Sequence, residues 1–275
     1  MQIIEISSLE DRRAEPYARL TEAQLKRAGQ GGGLFIAESL NVIGAALEAG
    51  YTPVSFLAGK NHLEEIRRRF GDECSAPVYT AQDEVLEALT GYRLSRGVLA
   101  AIERRPLPDA EQIIKEAKRI AVLENVTDPT NVGAIIRSAA GLGMDAVLVS
   151  SSCCDPLHRR AARVSTGAVF KIPWSVLPSI KSDNISIDTD FLHRNGFKIA
   201  AAALRPDSIR VDSGTLRKVD KLAILLGAEG YGLTDISIAS ANHTVMIPMA
   251  HGVDSLNVAA ASAVLFWELA KRAGE

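Results

Sequence analysis

The chain has 275 residues, 47% hydrophobic and 23% charged, the balance of a soluble globular protein with room for one large domain or two ordinary ones. A formal charge of −2 and a pI near 6.2 exclude a globally basic nucleic-acid binder, so an RNA or DNA partner would have to be met by local basic patches. No apolar run reaches the roughly 18–20 residues of a membrane span, and the start Met-Gln-Ile-Ile-Glu-Ile lacks the basic head and apolar core of a signal peptide, which predicts a cytoplasmic protein with no membrane partner.

Residues 10–28 read as a polar amphipathic helix with apolar positions at Leu9, Leu20 and Leu25, ended by the glycine-rich stretch 29–33. Regular alternation follows: strand Leu34-Phe35-Ile36, helix 39–49 stopped by Gly50, strand 54–58, charged helix 63–70, strand Pro77-Val78-Tyr79, helix 82–89 and strand 98–102. This βαβαβαβ pattern predicts a compact α/β domain. Arg104-Arg105-Pro106-Leu107-Pro108 is charged and twice broken by proline before a fresh helical start at Asp109, so a linker is predicted at 106–112 between domains 1–105 and 113–275. The second domain opens with strand 120–123, polar loop 124–130, helix 131–141 and strand 146–150. The stretch 173–190 reads as irregular, followed by a short helix 190–195 and strands 198–203, 222–226 and 244–247. An Ala-rich helix, 255–271, carries Leu265, Phe266, Trp267 and Leu269; it is apolar nearly all round and must be packed, in the core or at a dimer interface.

Three cysteines, Cys74, Cys153 and Cys154, have no CxxC or Cys/His spacing, and His62, His158, His193, His243 and His251 show no i, i+4 pairing, so reduced thiols and no metal are expected. Arg67-Arg68-Arg69 and the set Arg159, Arg160, Arg163 read either as solvated helix faces or as contacts to a phosphate backbone.

The chemistry is carried by three segments. Asn125-Val126-Thr127-Asp128-Pro129-Thr130-Asn131 leaves a strand, turns at Asp-Pro, and enters a helix bearing Asn131 and Arg137. A helix start beside an arginine suits an anion, although Asp-Pro-Thr-Asn is also ordinary turn and cap chemistry. Gly227-Ala228-Glu229-Gly230-Tyr231-Gly232 ends an apolar strand as G-x-x-G-x-G, not the G-x-G-x-x-G of dinucleotide binders. A nicotinamide dehydrogenase would also need a βαβ unit starting there and an acid about twenty residues on. The third segment breaks at Pro248 and crosses a loop to Ser255-Leu256-Asn257.

Together Asn131-x-Gly-Ala-Ile-Ile-Arg137, Leu226-Gly-Ala-Glu229-Gly-x-Gly-Leu233 and Ile247-Pro-Met-x5-Ser255-Leu-Asn257-Val resemble, in order and spacing, the three motifs of the SpoU (TrmH-type) RNA 2′-O-ribose methyltransferases of the SPOUT superfamily. Ser165-Thr166-Gly167-Ala168 falls where such proteins have a Ser/Gly-Ala turn, and the first domain, with Phe35-Ile36-Ala37-Glu38-Ser39 and Gly97-Val98-Leu99-Ala100, is similar to the family's L30-like substrate-binding domain. The resemblance implies an α/β fold whose C-terminal SPOUT-type domain has a parallel sheet and a deep trefoil knot, binding S-adenosyl-L-methionine as a homodimer. Carried over by position, Gly227, Ile247 and Leu256 would hold the cofactor largely through backbone groups, with Leu226, Met249 and Val258 as walls. Asn131, Arg137, Glu229, Ser255 and Asn257 would face the ribose as the catalytic set. The implied reaction is methyl transfer to a ribose 2′-hydroxyl, in ribosomal RNA more than in transfer RNA. The alternatives are a transfer-RNA substrate, or an inactive RNA-binding module of the same fold, against which the complete polar set argues.

Overall fold

Short apolar runs punctuated by glycine and proline form two sheets, one in each half of the chain. A computed structural model describes residues 1–8, 10–18, 20–29, 32–71, 74–90, 97–177 and 187–270; Leu9, the middle of the 173–190 stretch and Lys271 lie outside them. The chain divides into a first unit, Met1–Pro106 with Leu157–Phe170, and a second, Leu107–Pro156 with Lys171–Glu275.

The first unit runs β1 (Ile3–Glu5), α1 (Glu15–Ala18), α2 (Glu22–Leu25), β2 (Leu34–Glu38), α3 (Leu40–Glu48), β3 (Pro53–Gly59), α4 (Leu63–Phe70), β4 (Val78–Ala81), α5 (Asp83–Thr90) and β5 (Val98–Glu103). Its sheet has the order β1-β4-β3-β5-β2, with β5 antiparallel to both neighbours and the other pairs parallel. All of β2 and all of β5 except Glu103 are buried, and apart from Glu38 and Glu103 at their ends both are apolar runs. The predicted helix 10–28 is broken. Thr21 starts a new helix through a capping box, Gln24 N donating to Thr21 Oγ1 at 3.3 Å and Thr21 N to Gln24 Oε1 at 2.8 Å, so the earlier turn cannot run on through it. β1, only three residues long, adds to the edge of β4 and gave no pattern to read.

The segment Leu157–Phe170 differs most from the expectation, which placed it in the domain 113–275. Its helix, Arg159–Val164, sends two arginines to Glu38 on β2, which is buried: Arg159 Nε donates at 3.1 Å and Arg163 Nη1 at 2.9 Å. Phe170 joins Phe35 and Tyr51 in an aromatic cluster with centroids 5.3–5.8 Å apart. Two members of the predicted basic cluster are therefore committed to a buried carboxylate, and Arg160 remains exposed.

The second unit runs α6 (Ala110–Ile114), β6 (Arg119–Glu124), α7 (Pro129–Gly141) and β7 (Ala146–Val149); after the excursion, which holds α8 (Arg159–Val164), come β8 (Trp174–Val176), α9 (Thr189–Arg194), β9 (Lys198–Ala202), β10 (Ile209–Arg210), β11 (Leu222–Gly227), α10 (Asp235–Ser240), β12 (His243–Met246) and α11 (Val258–Leu269). The sheet is parallel throughout, in the order β10-β12-β9-β11-β6-β7-β8. From β6 the chain moves outward one way to β7 and β8, then crosses to the other side, where β9 is laid down first and β11 later fills the place between β9 and β6. The β6/β11 junction is thus the switch point, where ligands gather beyond the strand ends. β8, β10 and α10 were not foreseen; two or three residues of strand are too few to show a period.

Arg119 at the start of β6 is 1% exposed. Its guanidinium donates to the carbonyls of Leu269, Lys118, Asp220, Arg217 and Val219 at 2.7–3.1 Å, pinning the end of α11 to the strand. Burial pushes its pKa down, and Asp145 and Asp220 oppose that shift. Arg119→Lys keeps a charge but has three donors for five acceptors, so it is expected to destabilise the protein by about 2–3 kcal/mol. A lower urea midpoint at unchanged slope is the expected result, and an unchanged midpoint would refute this role.

Candidate active site

β6 and β11 end side by side, with Glu124 in register with Gly227. Beyond Gly227 the chain folds back on itself: a Cβ at that position would lie 2.3 Å from Gly232 C and Leu233 N, and Gly232 N donates to Ala228 O at 2.9 Å. Gly230 and Gly232 take left-handed φ values of +83° and +69°, which glycine adopts without a Cβ penalty. Glu229 and Tyr231 ride on this tight turn. Its far end is tied down by Glu124, whose buried carboxylate accepts from Thr234 N at 3.2 Å, Thr234 Oγ1 at 2.8 Å and Ser237 Oγ at 2.8 Å. Sequence reading took Glu124 only as the start of a polar loop and missed this anchor.

Asn257 caps α11, its Oδ1 accepting from Ala259 N at 2.9 Å and Ala260 N at 3.4 Å. The helix therefore begins at Val258, and Ser255 and Leu256 stay in the loop, later than the predicted start at 255. Capping also fixes the amide, so Asn257 Nδ2 donates to Asn131 Oδ1 at 3.2 Å and to Glu229 Oε1. Asn131 is buried in the first turn of α7, which Asp128 caps through Thr130 N at 2.7 Å and Asn131 N at 3.0 Å. Three residues distant in sequence thus converge on one point.

Two hollows flank that point. The first, of about 560 Å³, is lined by Leu226, Gly227, Ile247, Met249, Leu256 and Val258, together with Glu229, Asp254, Ser255 and Asn257. All six residues expected at the cofactor line it. The second, of about 600 Å³, lies between Asn125, Thr127, Asp128 and Asn131 on one side and Ala228 to Thr234 on the other. Ala228, Glu229, Tyr231 and Gly232 border both. Arg137 is not brought to either hollow and is exposed on α7. Six residues beyond Asn131 on a helix, it lies about 120° round the axis.

The first hollow suits a nucleoside-type cofactor without phosphates. Its walls are aliphatic, and its lining includes the carboxylates of Glu229 and Asp254 but, among the described residues, no Lys or Arg. A pyrophosphate would find no cation there, whereas a sulfonium would find complementary charge. That argues against the dinucleotide reading of the glycine loop. Nearby, burial pushes the Cys153 thiol up from its ordinary value, so it stays a neutral thiol. Among the described residues, no group of three or more His, Cys, Asp or Glu is placed to hold a metal ion, and no helix is long and apolar enough to cross a membrane.

The fold is that of crystallised RNA methyltransferases. It matches an AdoMet-bound rRNA methyltransferase from Sinorhizobium meliloti with a TM-score of 0.79 at 23% identity over 98% of both chains. It also matches the SpoU methyltransferase AviRb from Streptomyces viridochromogenes with a TM-score of 0.76 at 22% identity over 94% and 97% of the two chains. The chain belongs to the SpoU rRNA Methylase family, whose model matches residues 118–267. Among curated relatives, an uncharacterized tRNA/rRNA methyltransferase of Mycobacterium bovis is 37% identical over 244 residues, 86% of this chain and 81% of the relative. The 23S rRNA (guanosine-2′-O-)-methyltransferase RlmB of Acinetobacter baylyi is 29% identical over 203 residues, 71% and 78% of the two chains.

Proposed function

We propose that this protein transfers the methyl group of S-adenosylmethionine to a ribose 2′-hydroxyl of ribosomal RNA in the cytoplasm. The observation that carries the reading is the Asn131, Glu229 and Asn257 cluster at the border of a hollow with aliphatic walls and two carboxylates. The family membership and the activity of the RlmB relative support it. When bound, S-adenosylmethionine supplies an already electrophilic methyl group. The chain's part is to position the acceptor and ease proton loss. Backbone groups of Gly227, Ile247 and Leu256 would hold the cofactor while Leu226, Met249 and Val258 exclude water. Asn131, Glu229, Ser255 and Asn257 would orient the ribose, and Glu229, the carboxylate in the cluster, is placed to accept a hydrogen bond from a sugar hydroxyl. Arg137 enters on motif position alone.

The finer architecture in this reading follows the family. The first domain, 1–105, is an L30-like RNA-binding domain joined by the linker 106–112, and the segment from β11 to α11 is tucked through a deep trefoil knot. The packing of α11 against α7 and β11 supports that return path. Calorimetry with S-adenosylmethionine, followed by mapping of ribose methylation in ribosomal and transfer RNA from a strain lacking the gene, tests the whole. Absence of cofactor binding would sink it, and loss of methylation in transfer RNA alone would move the substrate.

A homodimer belongs to the same reading. Trp267 is 58% and Val264 39% exposed on α11, an apolar display that a second copy would cover. Light scattering is expected to return twice the 29.4 kDa chain mass, and an active monomer at micromolar concentration would rule the dimer out.

A further inference from the structure

We infer that the second hollow seats the base of the nucleotide being methylated, an unpaired nucleotide turned out of its RNA stack, and that the base stacks on Tyr231. The inference rests on the methyl-transfer reading above and adds to it where the substrate goes. A 2′-oxygen must approach the methyl donor closely, which puts the ribose at the Asn131, Glu229 and Asn257 cluster where the two hollows meet. The base is bonded to the carbon next to the one bearing that oxygen. With the first hollow filled by cofactor, the second, which adjoins the same cluster, is open for the base to enter.

The second hollow fits such a guest. Its volume of about 600 Å³ is within the range of small-molecule sites. Among the described residues no Lys or Arg lines it, so no side-chain cation marks it as a phosphate seat. Asn125 and Thr127 bring an amide and a hydroxyl, the groups that read a base edge.

Tyr231 supplies the platform. It is 96% exposed, so its ring does no packing work in the fold. Gly230 and Gly232 on either side have left-handed backbones and open space where a Cβ would be, leaving room for a flat partner over the ring. An aromatic held out at the rim of a concave site is the arrangement that captures unstacked bases.

The test uses the full chain saturated with S-adenosylmethionine and a short single-stranded oligoribonucleotide containing 2-aminopurine, whose fluorescence falls on stacking. Wild type and Tyr231→Phe are expected to quench it saturably, and Tyr231→Ala to bind roughly tenfold more weakly or worse. Tyr231 also borders the cofactor hollow, so Tyr231→Ala is expected to lose far more affinity for the oligonucleotide than for the cofactor, the latter read by calorimetry. On ribosomal RNA from a strain lacking the gene, Tyr231→Ala should raise KM far more than it lowers kcat. Absence of quenching by wild type, equal binding by Tyr231→Ala, or loss in Tyr231→Phe matching that in Tyr231→Ala would each overturn the inference. Failure of the wild-type protein to bind cofactor would instead overturn the methyl-transfer reading, while the quenching arm still decides the base seat.

Discussion

Gly227→Ala is expected to weaken S-adenosylmethionine binding at least a hundredfold and to lower stability by about 1–3 kcal/mol. The added Cβ would sit 2.3 Å from two backbone atoms and 2.5 Å from Gly232 O. None of these is the far end of a flexible side chain, so the turn from Ala228 to Gly232 must open. That turn is the shared wall of both hollows, and opening it displaces Glu229 from Asn257. Gly230→Ala is the control: its backbone is left-handed but nothing lies within 4 Å of the new methyl, so strain of about 1 kcal/mol is its only direct cost. Calorimetry and thermal melting read both variants. Near-normal affinity in Gly227→Ala would show that the turn does not shape the cofactor site.

Arg137→Ala is expected to lower kcat by a factor of about 100–1,000 at saturating RNA and cofactor, the scale for losing a charge that stabilises a developing oxyanion. Affinity for S-adenosylmethionine should stay within a few-fold, since Arg137 does not line the cofactor hollow. A guanidinium has no acceptor and is a poor base. The role that physical chemistry allows is electrostatic: holding the phosphate beside the target ribose and stabilising the alkoxide as its proton leaves. Because the side chain is exposed on α7, such a role would require docked RNA. Arg137→Lys retains the charge without the planar fork and should fall between the two. Wild-type turnover in Arg137→Ala would remove it from the catalytic set.

What could be read from the sequence was what is local. The glycines at 227, 230 and 232, the Asp128 cap and the apolar strands announce themselves within a few residues, whereas Asn257, the cap of α11, reads from the sequence as part of the helix. Motif order then brought Asn131, Glu229 and Asn257 to one list before the structure brought them to one point. The rest depends on partners far apart in the chain. Arg119 reaches Leu269 across 150 residues, and Glu124 reaches Ser237 across 113. Neither position differs in type from a solvated charge beside a strand. Arg137 is the converse case: its spacing from Asn131 matched a motif, and the helix carries it to an exposed face outside both hollows.

The two arginines that neutralise Glu38 lie 121 and 125 residues further along the chain. At a synthesis rate of about 5–20 residues per second, the ribosome delivers β2 on the order of ten seconds before it delivers their guanidiniums. Throughout that interval the nascent first half carries a carboxylate whose native site is a dry one, without those two guanidiniums. Its last packing step therefore waits until α7, β7 and α8 have emerged, and order of translation is not order of folding. A chain begun near Asp109 has the converse defect: it would make Arg159 and Arg163 without Glu38, and Phe170 without Phe35 and Tyr51, so poor solubility of such a fragment would say little about RNA recognition.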